Sequence, residues 1–284
     1  MPTTPDILQH TALANVDILD SLRDRLVEKT RTMNPTDFQL RALWDMTLLF
    51  QPNPSERVFS YDVHIAQTKK EGCCYVFGNK APITSHMIGA DARTFVTGND
   101  SLDIAILDAA YSALPSTPDR SIEISGTSSE KAQQRAQFVA EEVEFCLFNK
   151  KTDSRRVAVI GTIGTIVGAL QERHCQVVTT DLDQSIVNTV FHGVSVEDGR
   201  LKTLHHVEHS DVAVVTGMTL ATKTLSDIIS VAKRSRTQIV LIAETGAWFA
   251  QEYCDTHGIH SVVAEPFPFY IFSGPSQLLL YRKH

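Results

Sequence analysis

The sequence lacks the features of secreted, membrane and nucleic-acid-binding proteins. It has only 5 cysteines in 284 residues and no CxxC pair, so a reducing compartment is expected rather than a disulfide framework. Its start, MPTTPDILQH, has no secretory signal, and its longest apolar stretch, 157–170, is shorter than the roughly 20 residues of a membrane span. With 26 basic against 33 acidic residues, the chain has no overall positive field that would attract phosphates or anionic lipid. We expect a cytoplasmic protein that binds neither nucleic acid nor membrane.

The common catalytic motifs are also missing. The sequence contains no G-x-S-x-G, P-loop or H-E-x-x-H pattern, which removes the minimum signal for a hydrolase, a kinase or a zincin. The dinucleotide fingerprint G-x-G-x-x-G is incomplete, because a pattern that begins at Gly161 would need glycine in place of Ile163 and Ile166. A nicotinamide cofactor is therefore disfavoured, and no catalytic residue can be assigned.

The composition is that of a globular protein, and the length favours two domains. Hydrophobic spacing in the first half predicts helices over 16–27, 36–50 and 101–114, and short strands over 58–67 and 73–79. Thr127 and Glu130 form a capping-box pattern, which predicts the start of a helix that runs to Asn149. Residues 1–150 are therefore interpreted as a smaller α+β domain with an antiparallel sheet.

The second half repeats strand, turn and helix. Five apolar runs have the composition of strands covered on both faces: RVAVIG, CQVVTTDLD, SDVAVVTGMT, TQIVLIAETG and HSVVAEPF. Right-handed crossovers through the segments between them would wind these strands into a parallel sheet. The prediction for residues 151–284 is a doubly wound, mostly parallel, Rossmann-like domain, so the chain as a whole is of the α/β class.

In such a sheet a ligand binds at the carboxyl ends of the strands, where the strand order reverses. The first strand-end turn contains Gly161, Thr162, Gly164 and Thr165. Its glycines let a ligand approach the backbone, and the following helix offers free amides to an anion. Alternatively, the glycines only permit tight packing between strand and helix.

Asp181 and Asp183 end the second strand. Asp181 stands 20 residues after Gly161, at the position from which a carboxylate accepts hydrogen bonds from a ribose diol. This spacing indicates an adenosine-containing ligand, and a carboxylate there would repel the 2′-phosphate of NADP. The alternative is that the aspartate caps the next helix.

Two further strand ends carry polar and aromatic residues, namely Thr216, Gly217, Thr219, Glu244 and Trp248. The hydroxyls and amides of the threonine-rich turn can hold a carboxylate or cap a helix. The rings of Trp248 and of residues 266–272 can bind a sulfonium by cation–π attraction, or they can pack in the core. Together, the strand ends predict S-adenosylmethionine as the cofactor.

Candidate metal ligands are Cys73, Cys74, His86 and the histidines of HHVEH, residues 205–209. Adjacent cysteines on a strand point to opposite faces, and His206 and His209 would share a face only if their segment is helical. We assign no metal ligands on this basis, although a bound metal ion stays an alternative cofactor.

Several segments resemble one known family. Gly161 onward, Asp211 with VAVVTGMTLATKTL, and HSVVAEPF resemble the Rossmann-like domain of the heavy-metal chelation family. CCYVFGN and SLDIAILDAAYSAL resemble the enolase-N-terminal-like domain that precedes it in that family. The resemblance implies a two-domain α/β protein with a cleft between the domains and a role in metal or cofactor handling.

The combined expectation is a small-molecule enzyme whose ligand lies in the interdomain cleft. It would be an S-adenosylmethionine-dependent transferase or cyclase of cofactor or metallophore biosynthesis. The alternative is a non-catalytic protein that binds a metal or a metal complex, and a homodimer is compatible with both readings.

Overall fold

Two β-sheets organise the chain. The computed structural model describes residues 17–51, 58–150 and 154–284. Within them, a nine-stranded, mostly parallel sheet is flanked by helices, and a three-stranded antiparallel sheet lies in the N-terminal part. The predicted α/β class, with a large Rossmann-like sheet and a small antiparallel one, is confirmed.

Helix α1 (Ile18–Lys29) confirms the first predicted helix. It begins after Asp17, whose carboxylate accepts a hydrogen bond of 2.8 Å from the amide of Leu19. Such a cap satisfies one of the amides that lack a partner within the helix. Leu22 and Leu26 are fully buried on its inner face, so α1 is held by packing against the core.

The predicted helix over 36–50 is wrong. A 3-10 turn (Pro35–Phe38) is followed instead by strand β1 (Ala42–Phe50). This strand pairs along its whole length with β2 (Phe59–Gln67), and the rings of Phe50 and Phe59 stack with their centres 5.2 Å apart. Nine consecutive cross-strand pairs stabilise the extended form more than apolar spacing alone favours the helix.

The small sheet continues with β3 (Glu71–Tyr75) and packs on helix α2 (Asp100–Tyr111). The predicted strands and helix are thus confirmed here. Gly72 makes the close packing feasible, because a Cβ atom at this position would lie 2.0 Å from the backbone nitrogen of Ala109. The small sheet therefore rests directly on the backbone of α2.

The capping box is confirmed at the start of helix α3 (Ser128–Lys150). The amide of Thr127 donates to the Glu130 carboxylate at 2.8 Å, and the amide of Glu130 donates to the Thr127 hydroxyl at 3.3 Å. The preceding strand β4 (Arg120–Ile124) joins the edge of the large sheet. The large sheet and its helical layer thus begin before residue 150, where the sequence places the domain boundary.

The large sheet has the strand order β4-β12-β11-β10-β9-β5-β6-β8-β7. Its remaining strands are β5 (Arg156–Ile160), β6 (Gln176–Asp181), β7 (Val190–Phe191), β8 (Val194–Asp198), β9 (Val212–Thr216), β10 (Gln238–Ala243), β11 (Ser261–Ala264) and β12 (Ser276–Arg282). The helices are α4 (Gly164–Glu172), α5 (Gly199–Glu208), α6 (Met218–Ala221), α7 (Leu225–Ser235) and α8 (Ala250–Thr256).

The six inner strands from β8 to β11 are parallel. The chain runs outward from β5 through β6 to β8, and then returns to β9 and continues through β10 to β11. The strand order therefore reverses between β5 and β9, which is where doubly wound sheets bind ligands.

Alternate residues of the inner strands enter two different cores. Val157 and Val159 of β5 pack towards α3 and α4, whereas Ala158 and Ile160 pack towards α2 and α7. Strands covered on both faces need apolar residues at every position, which explains the continuous runs in the sequence. Among the described residues, no helix combines the length and the hydrophobicity needed to cross a membrane.

We predict that Gly72→Ala lowers the free energy of unfolding by about 3 kcal/mol, because the new methyl group would push β3 off the backbone of α2. Urea denaturation of the wild type and the variant measures this difference in the free energy of unfolding. Gly168→Ala is the matched control: the atoms nearest its Cβ would belong to the movable ring of the exposed His192, and alanine favours the helix by about 1 kcal/mol. Equal losses in the two variants would contradict the proposed contact.

Candidate functional site

The turns after β5 and β9 meet at the point where the strand order reverses. Gly161 has a φ of +82°, a conformation that side chains rarely adopt. A Cβ atom at this position would lie 2.4 Å from the hydroxyl oxygen of Thr216. Glycine is therefore required at 161 both by its conformation and by the approach of Thr216.

The turn after β6 is bonded to the same place. The Asp181 carboxylate accepts hydrogen bonds from the amide of Thr162 at 2.7 Å and from the amide of Asp183 at 2.9 Å. Burial raises the pKa of Asp181, against the effect of these hydrogen bonds. The amide of Leu182 is a third donor, and since a carboxylate has about four acceptor positions, Asp181 can still accept from a ligand. The three predicted turns, at Gly161, Asp181 and Thr216, are thus brought together.

The glycines of α4 serve the packing of a hairpin. Phe191, at the end of β7, lies against Gly164, where a Cβ atom would be 3.0 Å from the ring. His192 lies in the same way over Gly168, at 2.9 Å. The alternative interpretation, in which these glycines permit close packing, therefore describes both positions. Thr165 stays half-buried in the first turn of α4.

The threonine-rich turn is bonded mainly to itself. The hydroxyl of Thr219 donates to the carbonyl of Thr216 at 2.7 Å. The hydroxyls of Thr222 and Thr224 lie 2.9 Å apart. Gly217 passes close to the next strand end, since a Cβ atom there would be 2.6 Å from the carbonyl oxygen of Thr245. Hydrogen bonds within the turn thus account for the hydroxyls of Thr219, Thr222 and Thr224.

Glu244, directly after β10, belongs to a group of charged residues that joins the two sheets. Its carboxylate accepts a hydrogen bond of 2.6 Å from the hydroxyl of Tyr75 on β3 and forms an ion pair with Arg135 on α3. Arg135 also lies 3.2 Å from the carboxylate of Glu265, which follows β11, and stacks 4.0 Å from the ring of Tyr270. The two glutamates lie at the carboxyl ends of the neighbouring strands β10 and β11.

Charge is unbalanced in this group. Two carboxylates share one guanidinium, and the side chains of Arg135 and Glu265 are only 4% and 0% exposed. Burial and the charge of Glu244 raise the pKa of Glu265 to about 7, although Arg135 opposes them. Burial and the same glutamate raise the pKa of Tyr75 well above its usual value, so its phenol stays protonated. Perturbed acids and phenols of this kind are common at functional sites.

The sequence analysis singled out Glu244 but missed Arg135, Glu265 and Tyr75. Glu265 could have been found, because it directly follows the apolar run of the predicted strand HSVVAEPF, as Glu244 follows that of TQIVLIAETG. Arg135 and Tyr75 lie in a predicted helix and a predicted strand without any local motif. Only the fold brings them to the glutamates.

Trp248 is tied to the small sheet. Its amide donates to the Asp108 carboxylate and its indole N–H donates to the carbonyl of Glu71, both at 2.8 Å. The Lys70 ammonium lies 4.5 Å from its ring. Trp248 also lines a cavity of about 440 Å³ at the carboxyl end of α2. A second cavity, of about 250 Å³, includes Thr219.

Neither cavity is lined by Gly161, Asp181 or Thr216. These three residues are half-buried, so their turns form part of the protein surface. A ligand at this point would therefore bind to a surface of strand-end turns, outside both cavities.

The cysteine pair is not arranged to bind a metal. Cys73 and Cys74 are buried on opposite faces of β3, as predicted, and burial raises the pKa of both thiols. Within 17–51, 58–150 and 154–284, no three His, Cys, Asp or Glu side chains are placed to hold one ion. In the segment HHVEH, residues 205–208 form the last turn of α5, and His209 caps the carboxyl end of the helix.

Comparison with known proteins confirms the resemblance inferred from the sequence. Residues 145–250 match the model of the DUF364 family, described as "Putative heavy-metal chelation". A structure of a DUF364 protein of unknown function from Desulfitobacterium hafniense is similar, with 13% identity, a TM-score of 0.57, and coverage of 93% of this chain and 98% of that chain. No curated protein matches the chain.

A second DUF364 structure, of a protein of unknown function from Pyrococcus horikoshii, has 13% identity, a TM-score of 0.53, and coverage of 93% of this chain and 99% of that chain. At this identity the likeness concerns the fold alone. The shared fold extends over both the small sheet and the large one, beyond the segment that the family model matches.

We predict that the free energy of unfolding falls as the pH rises from 5 to 8. Because the pKa of Glu265 is raised from 4.5 to about 7 and that of Asp108 from 3.8 to about 8 in the folded state, the folded protein binds protons in this range that the unfolded chain has released. Glu265→Gln should reduce the fall by up to about 3 kcal/mol, as measured by urea denaturation at several pH values.

The matched control for this experiment is Glu123→Gln on strand β4, where the side chain is exposed. It should keep the pH dependence of the wild type. The same slope in the Glu265 variant and in the wild type would show that Glu265 carries no raised pKa.

Proposed function

We propose that the protein is an enzyme of small-molecule biosynthesis that binds S-adenosylmethionine where the strand order reverses. The observation that carries this proposal is the meeting of three turns, at Gly161, Asp181 and Thr216, at one edge of the sheet. In doubly wound sheets this is the edge where ligands bind. The reaction class would be a transfer or a cyclisation in the synthesis of a cofactor or a metallophore.

The geometry favours an adenosyl ligand without phosphates. Asp181 can still accept from a ribose diol. Phe191 covers Gly164 at the start of α4, where the pyrophosphate of a dinucleotide would approach the helix amides. S-adenosylmethionine has the diol but no phosphate, so it meets both conditions.

Glu244 is the proton-transfer group in this proposal. Its side chain is 13% exposed, whereas those of Arg135 and Glu265 are nearly or fully buried. Tyr75 donates to one carboxylate oxygen of Glu244 and Arg135 to the other, so both act as positioning residues. A transfer or cyclisation needs a base to remove a proton from the attacking group, and Glu244 offers one at the carboxyl end of β10.

Calorimetry with S-adenosylmethionine and with its thioether product tests the proposal. We expect both to bind the wild type and Asp181→Asn to weaken binding at least about tenfold, which corresponds to about 1.4 kcal/mol, because an amide accepts fewer hydrogen bonds from the diol. Glu123→Gln, on the edge strand β4, should bind like the wild type. The absence of both heat and thermal shift with either compound would refute the adenosyl ligand.

A second candidate is a non-catalytic protein that binds a metal or a metal complex, as the description of the matching family suggests. Because the described residues offer no three-ligand site, a metal held by an organic chelator fits this candidate better than a bare ion. Elemental analysis of tag-free protein distinguishes the two candidates. A carrier should keep a stoichiometric amount of metal through purification, whereas an enzyme that uses S-adenosylmethionine should bind that ligand whether or not metal is present.

A further inference from the structure

Three histidines lie together on the surface of α5, away from the strand-end turns described above. The ring centres of His205 and His209 are 4.2 Å apart, and those of His205 and His206 are 5.5 Å apart. His205 and His209 are both exposed. His205 lies in the last turn of α5, and His209 is the residue that caps the carboxyl end of this helix.

The helix puts His205 and His209 on one face. Residues four apart are neighbours along a helix surface, and α5 is well formed up to this point: Asp198 caps its start, and the amide of His209 bonds to the carbonyl of His205 at 3.2 Å. Among the 11 histidines of the sequence, this is the only pair spaced by four residues.

The hydrogen bond of the His209 ring leaves its other nitrogen available. Nδ1 of His209 lies 2.8 Å from the carbonyl oxygen of His205. A carbonyl can only accept, so Nδ1 carries the proton and Nε2 of the neutral ring carries a lone pair. Histidines that bind metals usually donate their second ring N–H to a backbone carbonyl or a carboxylate in this way.

We propose that His205 and His209 form a two-ligand site for divalent transition-metal ions of the Cu²⁺, Ni²⁺ and Zn²⁺ class. Imidazole suits these ions, and two histidines four apart on a helix can share one metal. The two ring centres are 4.2 Å apart, so both rings can face one ion, for which metal–nitrogen distances of about 2.0–2.1 Å are usual. The other coordination positions would be open to water or to a chelator. This site is independent of the adenosyl ligand.

His206 differs from its neighbours and provides a control. Its Nε2 lies 3.0 Å from the carboxylate of Glu197 on β8, and its side chain is only 12% exposed. That contact holds α5 against the sheet. His206 is therefore a structural residue in this proposal, next in sequence to a metal ligand.

Calorimetry with Ni²⁺ on the tag-free full chain tests the site. We expect one ion to bind per chain, and His205→Ala and His209→Ala each to weaken binding at least tenfold. His206→Ala and His86→Ala, which removes another exposed histidine, should change the affinity less than threefold. S-adenosylmethionine binding should be the same in all four variants, so the failure of either proposal can be told from the failure of the other.

Electron paramagnetic resonance of the protein with one equivalent of Cu²⁺ gives a second readout. We expect hyperfine coupling to two imidazole nitrogens in the wild type and to at most one in each single variant. Binding that survives both substitutions, or that disappears with His206→Ala or His86→Ala alone, would overturn the proposal.

Discussion

The carboxylate of Asp108 holds the two sheets in their relative position. It lies in the buried face of α2, where one oxygen accepts from the amide of Cys73 on β3 at 2.9 Å and the other from the amide of Trp248 after β10 at 2.8 Å. Burial raises its pKa to about 8, and the amide hydrogen bonds act against this rise. Because this one side chain joins α2, the small sheet and the large sheet, it also fixes the distance at which Tyr75 reaches Glu244.

Several glycines are needed because another part of the chain lies against their backbone, where a side chain would not fit. Gly72 lets the small sheet rest on α2, Gly161 lets two strand-end turns meet, and Gly164 accepts the ring of Phe191. Only Gly161 lies where the fold also favours a ligand. A glycine-rich turn after a strand therefore indicates a close contact, and the structure is needed to decide whether its partner is a ligand or the chain itself.

Local patterns predicted the features that depend on neighbouring residues. The capping box at Thr127 and the five apolar strands are such features, and so are the strand-end turns, whose meeting follows from the rules of a doubly wound sheet. The segment 36–50 was misread because its partner, β2, determines its conformation. Arg135 and Glu265 could not be paired from the sequence, because they lie 130 residues apart and meet only when the sheet has formed.

The edge of the large sheet has a consequence for the order in which the chain can fold. Strand β4 has its sheet neighbour in β12, and Ile122 pairs with Leu278. During synthesis on the ribosome, β4 emerges long before β12. The entropy cost of closing the long loop between them must be met before their pairing stabilises the fold. The nascent chain therefore carries β4 unpaired until residues 276–282 have been synthesised, and those residues are the ones that cover it.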